Sequence, residues 1–198
     1  MNRKRGRAGS VERDMVAIDD ASNLGETFFR AAQAHAGRSL IAVPANPARN
    51  YHPRGIEITY AEAAATVRGL MQRYAEAGYG IGHRIGLLLE NRPEHLLHKL
   101  AMNALGVCCV PLNAEHRPRE LAYVFEHARL DLVLVLGDLH ERLGAALAQS
   151  AHRPAALRLG DFDRQLPRAA RTAVSVLPTA DMPASVLYTS GTTGRPKG

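Results

Sequence analysis

The chain has 198 residues, with no tryptophan, four phenylalanines, six tyrosines and only two cysteines. It also has no apolar run approaching the roughly 20 residues a membrane-spanning helix needs, so no transmembrane segment is expected. Cys108 and Cys109 are neighbours in a run that reads as a strand. Their side chains then point to opposite faces, which disfavours a structural disulfide, and both read as reduced core thiols of a cytoplasmic protein. The formal net charge of +6 invites a nucleic-acid or acidic-membrane partner, but four of the basic groups sit in the opening MNRKRGR. Basic residues interleaved with aromatics, or gathered on one helix face, are missing from the remainder, so no nucleic-acid partner is expected. Residues 1–20 read as a disordered basic tail. It lacks the apolar stretch of a secretory signal, and Glu12, Asp14, Asp19 and Asp20 argue against a mitochondrial presequence; Met15 is an equally good start.

The remaining composition, 46% hydrophobic and 22% charged, is that of a folded globular chain able to bury a real core. Asn23 with Glu26, and Thr59 with Glu62, have the spacing of capping boxes and predict helices over 23–37 and 60–78, each closed by a glycine. SLIAV and IEITY read as strands separated by the proline- and asparagine-rich loop PANPARNYHPRG. From Gly78 onward strand and helix alternate: IGLLLE, PEHLLHKLAMNALG, VCCVPL, PRELAYVFEHAR, DLVLVL, DLHERLGAALAQ and a strand around AALRL. The strands are continuous apolar runs, as expected when helices cover both faces. Pro93 and Pro118 stand at helix starts, where a missing N–H costs nothing. The fold class predicted is α/β, a parallel sheet flanked by helices with right-handed crossovers. Residues 162–183 read as an irregular link, and ASVLYT, 184–189, as a last short strand that delivers the loop SGTTGRPKG.

That loop has the chemistry of a phosphate cradle. Gly191 and Gly194 permit close backbone approach and positive φ, so that successive N–H groups can surround an anion. Thr189, Ser190, Thr192 and Thr193 add hydroxyls, Lys197 adds a cation, and Pro196 biases Arg195 towards an extended conformation. Neither common phosphate signature fits. Counted from Gly191, Walker A would need a glycine where Pro196 stands and a hydroxyl where Gly198 stands, and two threonines separate the glycines where G-x-G-x-x-G allows one residue. A functionless glycine-rich turn is the plain alternative, but ordinary turns use one or two such residues.

YTSGTTGRPKG, Tyr188–Gly198, resembles the phosphate-binding signature of the adenylate-forming enzymes: acyl-CoA synthetases, peptide-synthetase adenylation domains and luciferases. ITYAE, residues 58–62, is similar to that family's L-[ST]-Y-x-E segment, and ALGVCCVPLN, residues 104–113, to its A-G-A-x-x-V-P-[LI]-[ND] strand. GIGHRIGLLLENRPE also resembles a family stretch, with His83 where an aspartate with a structural role is usual. The resemblance covers roughly residues 24–198 and makes 21–198 an incomplete N-terminal AMP-binding domain that ends at the phosphate loop.

It implies a two-step reaction. A carboxylate attacks the α-phosphorus of ATP·Mg2+ to give an acyl-adenylate and pyrophosphate, and a thiol, usually that of CoA, then displaces AMP. The resemblance implies that Thr189, Ser190, Gly191, Thr192, Thr193, Gly194 and Lys197 hold the phosphates. In it Lys197 is the catalytic cation opposite the leaving pyrophosphate, and Thr189 also contacts the magnesium ion. The family's adenine, ribose, magnesium-glutamate and thiolation elements all lie downstream of its phosphate loop. The 198 residues are therefore expected to be the N-terminal portion of an acyl-CoA synthetase, inactive alone, with a carboxylic acid as substrate and the ATP-adenine and CoA sites elsewhere. The same expectation leaves ASVLYT under-supported, because its family partner strand follows the loop. The alternative is a non-catalytic α/β module that binds a nucleotide or a partner. His95 and His98 stand i, i+3 on a helix, but no further ligand set accompanies them and no metal centre is expected.

Overall fold

A computed structural model describes residues 22–190 and 196–198; the basic tail expected over 1–20 lies outside them. Both capping boxes form. Asn23 Oδ1 accepts from the Glu26 N–H at 2.9 Å and starts α1, Leu24–Ala34. Thr59 Oγ1 accepts from the Glu62 N–H at 3.2 Å, while the Glu62 carboxylate accepts from the Thr59 N–H at 2.8 Å, starting α2, Tyr60–Glu76. Each box satisfies helix N–H groups that have no partner within the helix. Between the helices, β1, Ser39–Val43, pairs antiparallel with β2, Ile56–Thr59.

The main sheet consists of β3, Arg84–Leu88; β4, Cys108–Pro111; β5, Leu132–Val135; and β6, Ala155–Arg158. All its neighbours are parallel, in the spatial order β4-β3-β5-β6. The helices between these strands are α3, Pro93–Ala104; α4, Pro118–Ala128; and α5, His140–Gln149.

Two cores follow from the period-two alternation of buried strands. Ile85, Leu87, Cys109, Leu132 and Leu134 meet α1, α2 and α3 on one face. Leu88, Val110, Val133 and Val135 meet Leu121, Val124 and Phe125 of α4 and Leu143 of α5 on the other. The chain steps one way from β3 to β4 and back past β3 to reach β5. Right-handed crossovers in opposite directions require helices on opposite faces, which is what these two cores contain. Gly106 makes the turn from α3 into β4 possible: its φ is +70°, and a Cβ there would fall 2.4 Å from Ile81 Cγ1.

Two expectations need correction. Phe162–Gln165 is a short helix, α6, whose Phe162 is buried against Tyr74 and His98. ASVLYT is not one continuous strand: Ser185 makes one parallel bridge to Cys109, beyond the β4 edge, and no ladder pairing follows until Thr189. After Val186 the chain leaves the sheet edge, with Leu187 exposed and Tyr188 lying on α4.

Candidate functional site

Thr189–Ser190, β7, pairs antiparallel with Pro196–Lys197, β8, in the register Thr189↔Lys197 and Ser190↔Pro196. The partner expected to be missing is thus supplied by the motif itself. Pairing brings the two ends of the motif side by side, and residues 191–195 join them. Gly191, Thr192, Thr193 and Gly194 lie outside the described residues, and Ser190 and Lys197 are described by backbone alone. Thr189 is exposed.

The strand pair is fixed from below. Tyr188 shares a hydrogen bond of 2.7 Å with His127 Nδ1, and the His127 ring stacks on Tyr123. Gly198 lies so close to the Tyr188 ring that a Cβ would come within 2.7 Å of its Cζ, so glycine is needed for contact there. Upstream, the Cys109 N–H donates to Ala184 O at 3.1 Å and the Val186 N–H donates to Cys109 O at 3.0 Å. Asn103 Nδ2 also donates to Ala184 O, at 2.6 Å. Tyr188, His127 and Asn103 carry no local sequence signal for these roles, because each contact spans at least 61 residues.

The link that leads to the motif is pinned in the same manner. His83, buried, accepts from the Gly80 N–H and donates through Nε2 to Arg171 O at 3.0 Å. Arg171 forks onto both Asp131 oxygens at 2.8 Å and reaches Gly82 O at 2.8 Å, and the Arg84 N–H donates to the same carboxylate at 2.8 Å. Burial acts to raise the Asp131 pKa, but the Arg171 hydrogen bond and the Arg84 amide outweigh it and hold the carboxyl below its ordinary value. The unusual histidine at position 83 is therefore an anchor for the segment that delivers the loop.

The other chemical candidates are committed to packing. His98 Nδ1 and the Tyr74 hydroxyl share a hydrogen bond of 2.9 Å, and burial lowers the imidazole pKa to about 4. His95 Nδ1 faces Glu90 O at 3.1 Å. Among the described residues, no group of three or more His, Cys, Asp or Glu side chains is arranged to hold a metal. Burial pushes the Cys109 thiol up to about 12 and raises Cys108 as well, and both thiols are unpaired and buried, so neither is a reactive thiolate at neutral pH. No helix among the described residues is long and apolar enough to cross a membrane.

Solved structures of similar fold include a Mycobacterium tuberculosis fatty acyl CoA synthetase. It has TM-score 0.71 and 20% identity, with 89% of this chain and 34% of that chain covered. The anthranilate CoA ligase AuaEII in complex with anthranoyl-AMP also has TM-score 0.71, at 19% identity over 91% of this chain and 34% of its own. These identities speak for the fold alone.

Among curated relatives, a linear gramicidin synthase component of Brevibacillus parabrevis is 36% identical over 142 residues, 71% of this chain and 3% of that protein. The sulfoacetate–CoA ligase of Cupriavidus necator is 32% identical over 148 residues, 73% of this chain and 29% of that protein. The chain thus spans under a third of the length of either relative. Relatives of both kinds, gramicidin synthase and CoA ligase, match it. The AMP-binding enzyme profile matches residues 28–198, which contain the paired strands, the cores beneath them and the link between. The chain belongs to the AMP-binding enzyme family.

Proposed function

We propose that this chain is the phosphate-binding, N-terminal part of an AMP-forming acid–thiol ligase of the acyl-CoA synthetase type. The observation that carries this reading is the strand pair Thr189–Ser190 with Pro196–Lys197 at the two ends of TSGTTGRPK, within a family match that reaches Gly198. The exposed Thr189, the register that sets it opposite Lys197, and the tyrosine platform beneath Gly198 are compatible with a polyphosphate chain cradled beside the strand pair. ATP·Mg2+ would be held there through Thr189, Ser190, Gly191, Thr192, Thr193, Gly194 and Lys197. Thr189 offers the neutral oxygen that a magnesium ion accepts alongside phosphate oxygens. Magnesium would supply charge neutralisation on the phosphates.

The role of Lys197 is to hold positive charge where pyrophosphate leaves, and that of the glycines is to let amide N–H groups reach the oxygens. The carboxylic acid, the adenine and CoA find no assigned residues here, and the chain by itself is proposed to make neither adenylate nor thioester. A cytoplasmic setting suits the two unpaired, buried cysteines.

The test is calorimetry with MgATP and magnesium pyrophosphate on the 198-residue chain and on Lys197→Ala, paired with a pyrophosphate-release assay over a panel of carboxylic acids. A Lys197-dependent binding component is expected, weakened about 10–100-fold in the variant, with no pyrophosphate released. Binding indifferent to Lys197 would overturn the role given to the loop. Turnover by the chain alone would overturn its dependence on other parts of a ligase.

A further inference from the structure

The amino ends of β3, β5 and β6 enclose a cleft of about 500 Å3 lined by Arg84, Arg129, Arg153, Arg168, Arg171 and Asp131, over a floor that includes Leu130 and Pro154. Five guanidinium groups here face one carboxylate, and that carboxylate is already used: Arg171 takes both of its oxygens. Arg84 is held as well, with Nη1 donating to Ala128 O at 2.9 Å. Arg129, Arg153 and Arg168 make no side-chain hydrogen bond or ion pair among the described residues. Arg129 also stands in the left-handed region at φ +53°, a helix-ending position where glycine or asparagine is the low-cost choice. On the rim, His152 donates through Nε2 to Leu130 O at 2.6 Å, which orients the ring.

Uncompensated like charge gathered in a concavity with an apolar floor raises the local concentration of anions. Guanidinium forks match phosphate oxygens two at a time, and a volume of this size lies within the range of small-molecule sites. We propose that this cleft is a second anion site, separate from the SGTTGRPKG loop, that binds a soluble compound carrying two or more linked phosphates. Arg84 and Arg171 form its fixed wall, held by Ala128, Gly82 and Asp131. Arg129, Arg153 and Arg168 are the arms that close on the ligand. A single carboxylate or monophosphate would engage too few of them. The concave, half-open shape favours a small polyphosphate over a nucleic-acid strand, which needs a longer surface that tracks its backbone.

The experiment uses the full chain in the Lys197→Ala background, so that binding at the loop and binding at the cleft are separated. Tripolyphosphate and pyrophosphate are titrated calorimetrically, and hydrogen exchange maps the contact. Expected are saturable binding that survives Lys197→Ala, protection at residues 129–131 and 152–155, and at least about a tenfold loss of affinity in Arg129→Ala/Arg168→Ala. The two changed arginines are exposed, and an unchanged melting temperature confirms that the fold is retained. The proposal is overturned by three results: no binding in the Lys197→Ala chain, binding indifferent to the arginine changes, or arginine-dependent binding of a single-stranded oligonucleotide with none of tripolyphosphate.

Discussion

Residues 22–161 and residues 162–190 are held together by different physics. The first stretch is a layered structure in which whole faces are dry: every residue of β5 is buried, and Val67, Leu134 and Phe125 are fully so. The second contains one four-residue helix, a bridge and the two-residue strand β7, and among the described residues most of the large apolar side chains that remain exposed belong to it: Val174, Val176, Leu177 and Leu187. It is kept in place by bonds to particular groups of the first stretch. Ala169 N–H donates to Ala77 O, Val174 N–H to Ile81 O, and Asn23 Nδ2 to Pro178 O. The difference teaches that the SGTTGRPKG segment can be delivered by a chain that buries few apolar side chains of its own, Phe162 chief among them, provided a rigid sheet lends it fixed carbonyls and one carboxylate.

The largest expected contrast compares the two stretches directly. Leu134→Ala removes a fully buried side chain from the core under α1–α3 and should cost about 2–5 kcal/mol in denaturant unfolding. Leu177→Ala, at a side chain 84% exposed, should stay within about 0.5 kcal/mol of the parent. Comparable losses from the two substitutions would mean that residues 162–190 bury a core of their own.

Acid should strike the boundary between the stretches next. His98 lies between Tyr74 of α2 and Phe162 of α6, with Glu94, His95 and Asp163 as the charged or titratable neighbours acting on it. Its pKa is lowered by burial from 6.5 to about 4 in the folded chain. As pH falls, the unfolded chain binds the proton first. Stability present above about pH 6.5 is therefore lost progressively down to about pH 4, by about 3 kcal/mol for this group. Urea unfolding at steps through that window should show the slope, and His98→Gln should flatten it. An unchanged slope in the variant would assign acid sensitivity elsewhere; Asp131, with its lowered pKa, responds only at lower pH.

The same division explains what the sequence discloses. Capping boxes, apolar runs and helix-starting prolines lie within a few residues of one another, so α1 to α5 and the strands between them are legible from local pattern. The strand order is not, because the return of the chain past β3 leaves no mark on local periodicity. Four residues are too few to display a helical period, which hides α6. ASVLYT carries strand-forming residues, but a strand is completed by partners, and only Ser185 and Thr189, towards its two ends, find one. At the site, the density of glycine, hydroxyl and lysine identifies the loop, whereas its supports do not announce themselves. His127 is 61 residues from Tyr188, and Asp131 is 40 from Arg171.

Asp131→Asn should break the second stretch while leaving the first intact. The side chain is 9% exposed and its partner Arg171 is 54% exposed, so solvent screening reduces the value of the pair, and a loss of about 1–2 kcal/mol is expected. The sharper readout is local: amide exchange should accelerate at Ala169 and Val174, whose N–H groups bond across to the first stretch, while β5 keeps its protection. Acceleration throughout the sheet would show that Asp131 supports both stretches equally.

The smallest effect separates two helix caps of the same design. Thr59 and Asn23 both cap through capping boxes, and each change to alanine should cost about 1 kcal/mol. Asn23 has a second duty that Thr59 lacks, because its Nδ2 donates at 3.1 Å to Pro178 O in the other stretch. Asn23→Ala should therefore release residues 176–182 to faster exchange and greater protease sensitivity, while Thr59→Ala at matched stability should not. If the two variants open that segment equally, then global stability alone holds it, and the point anchors are incidental to how the loop is delivered.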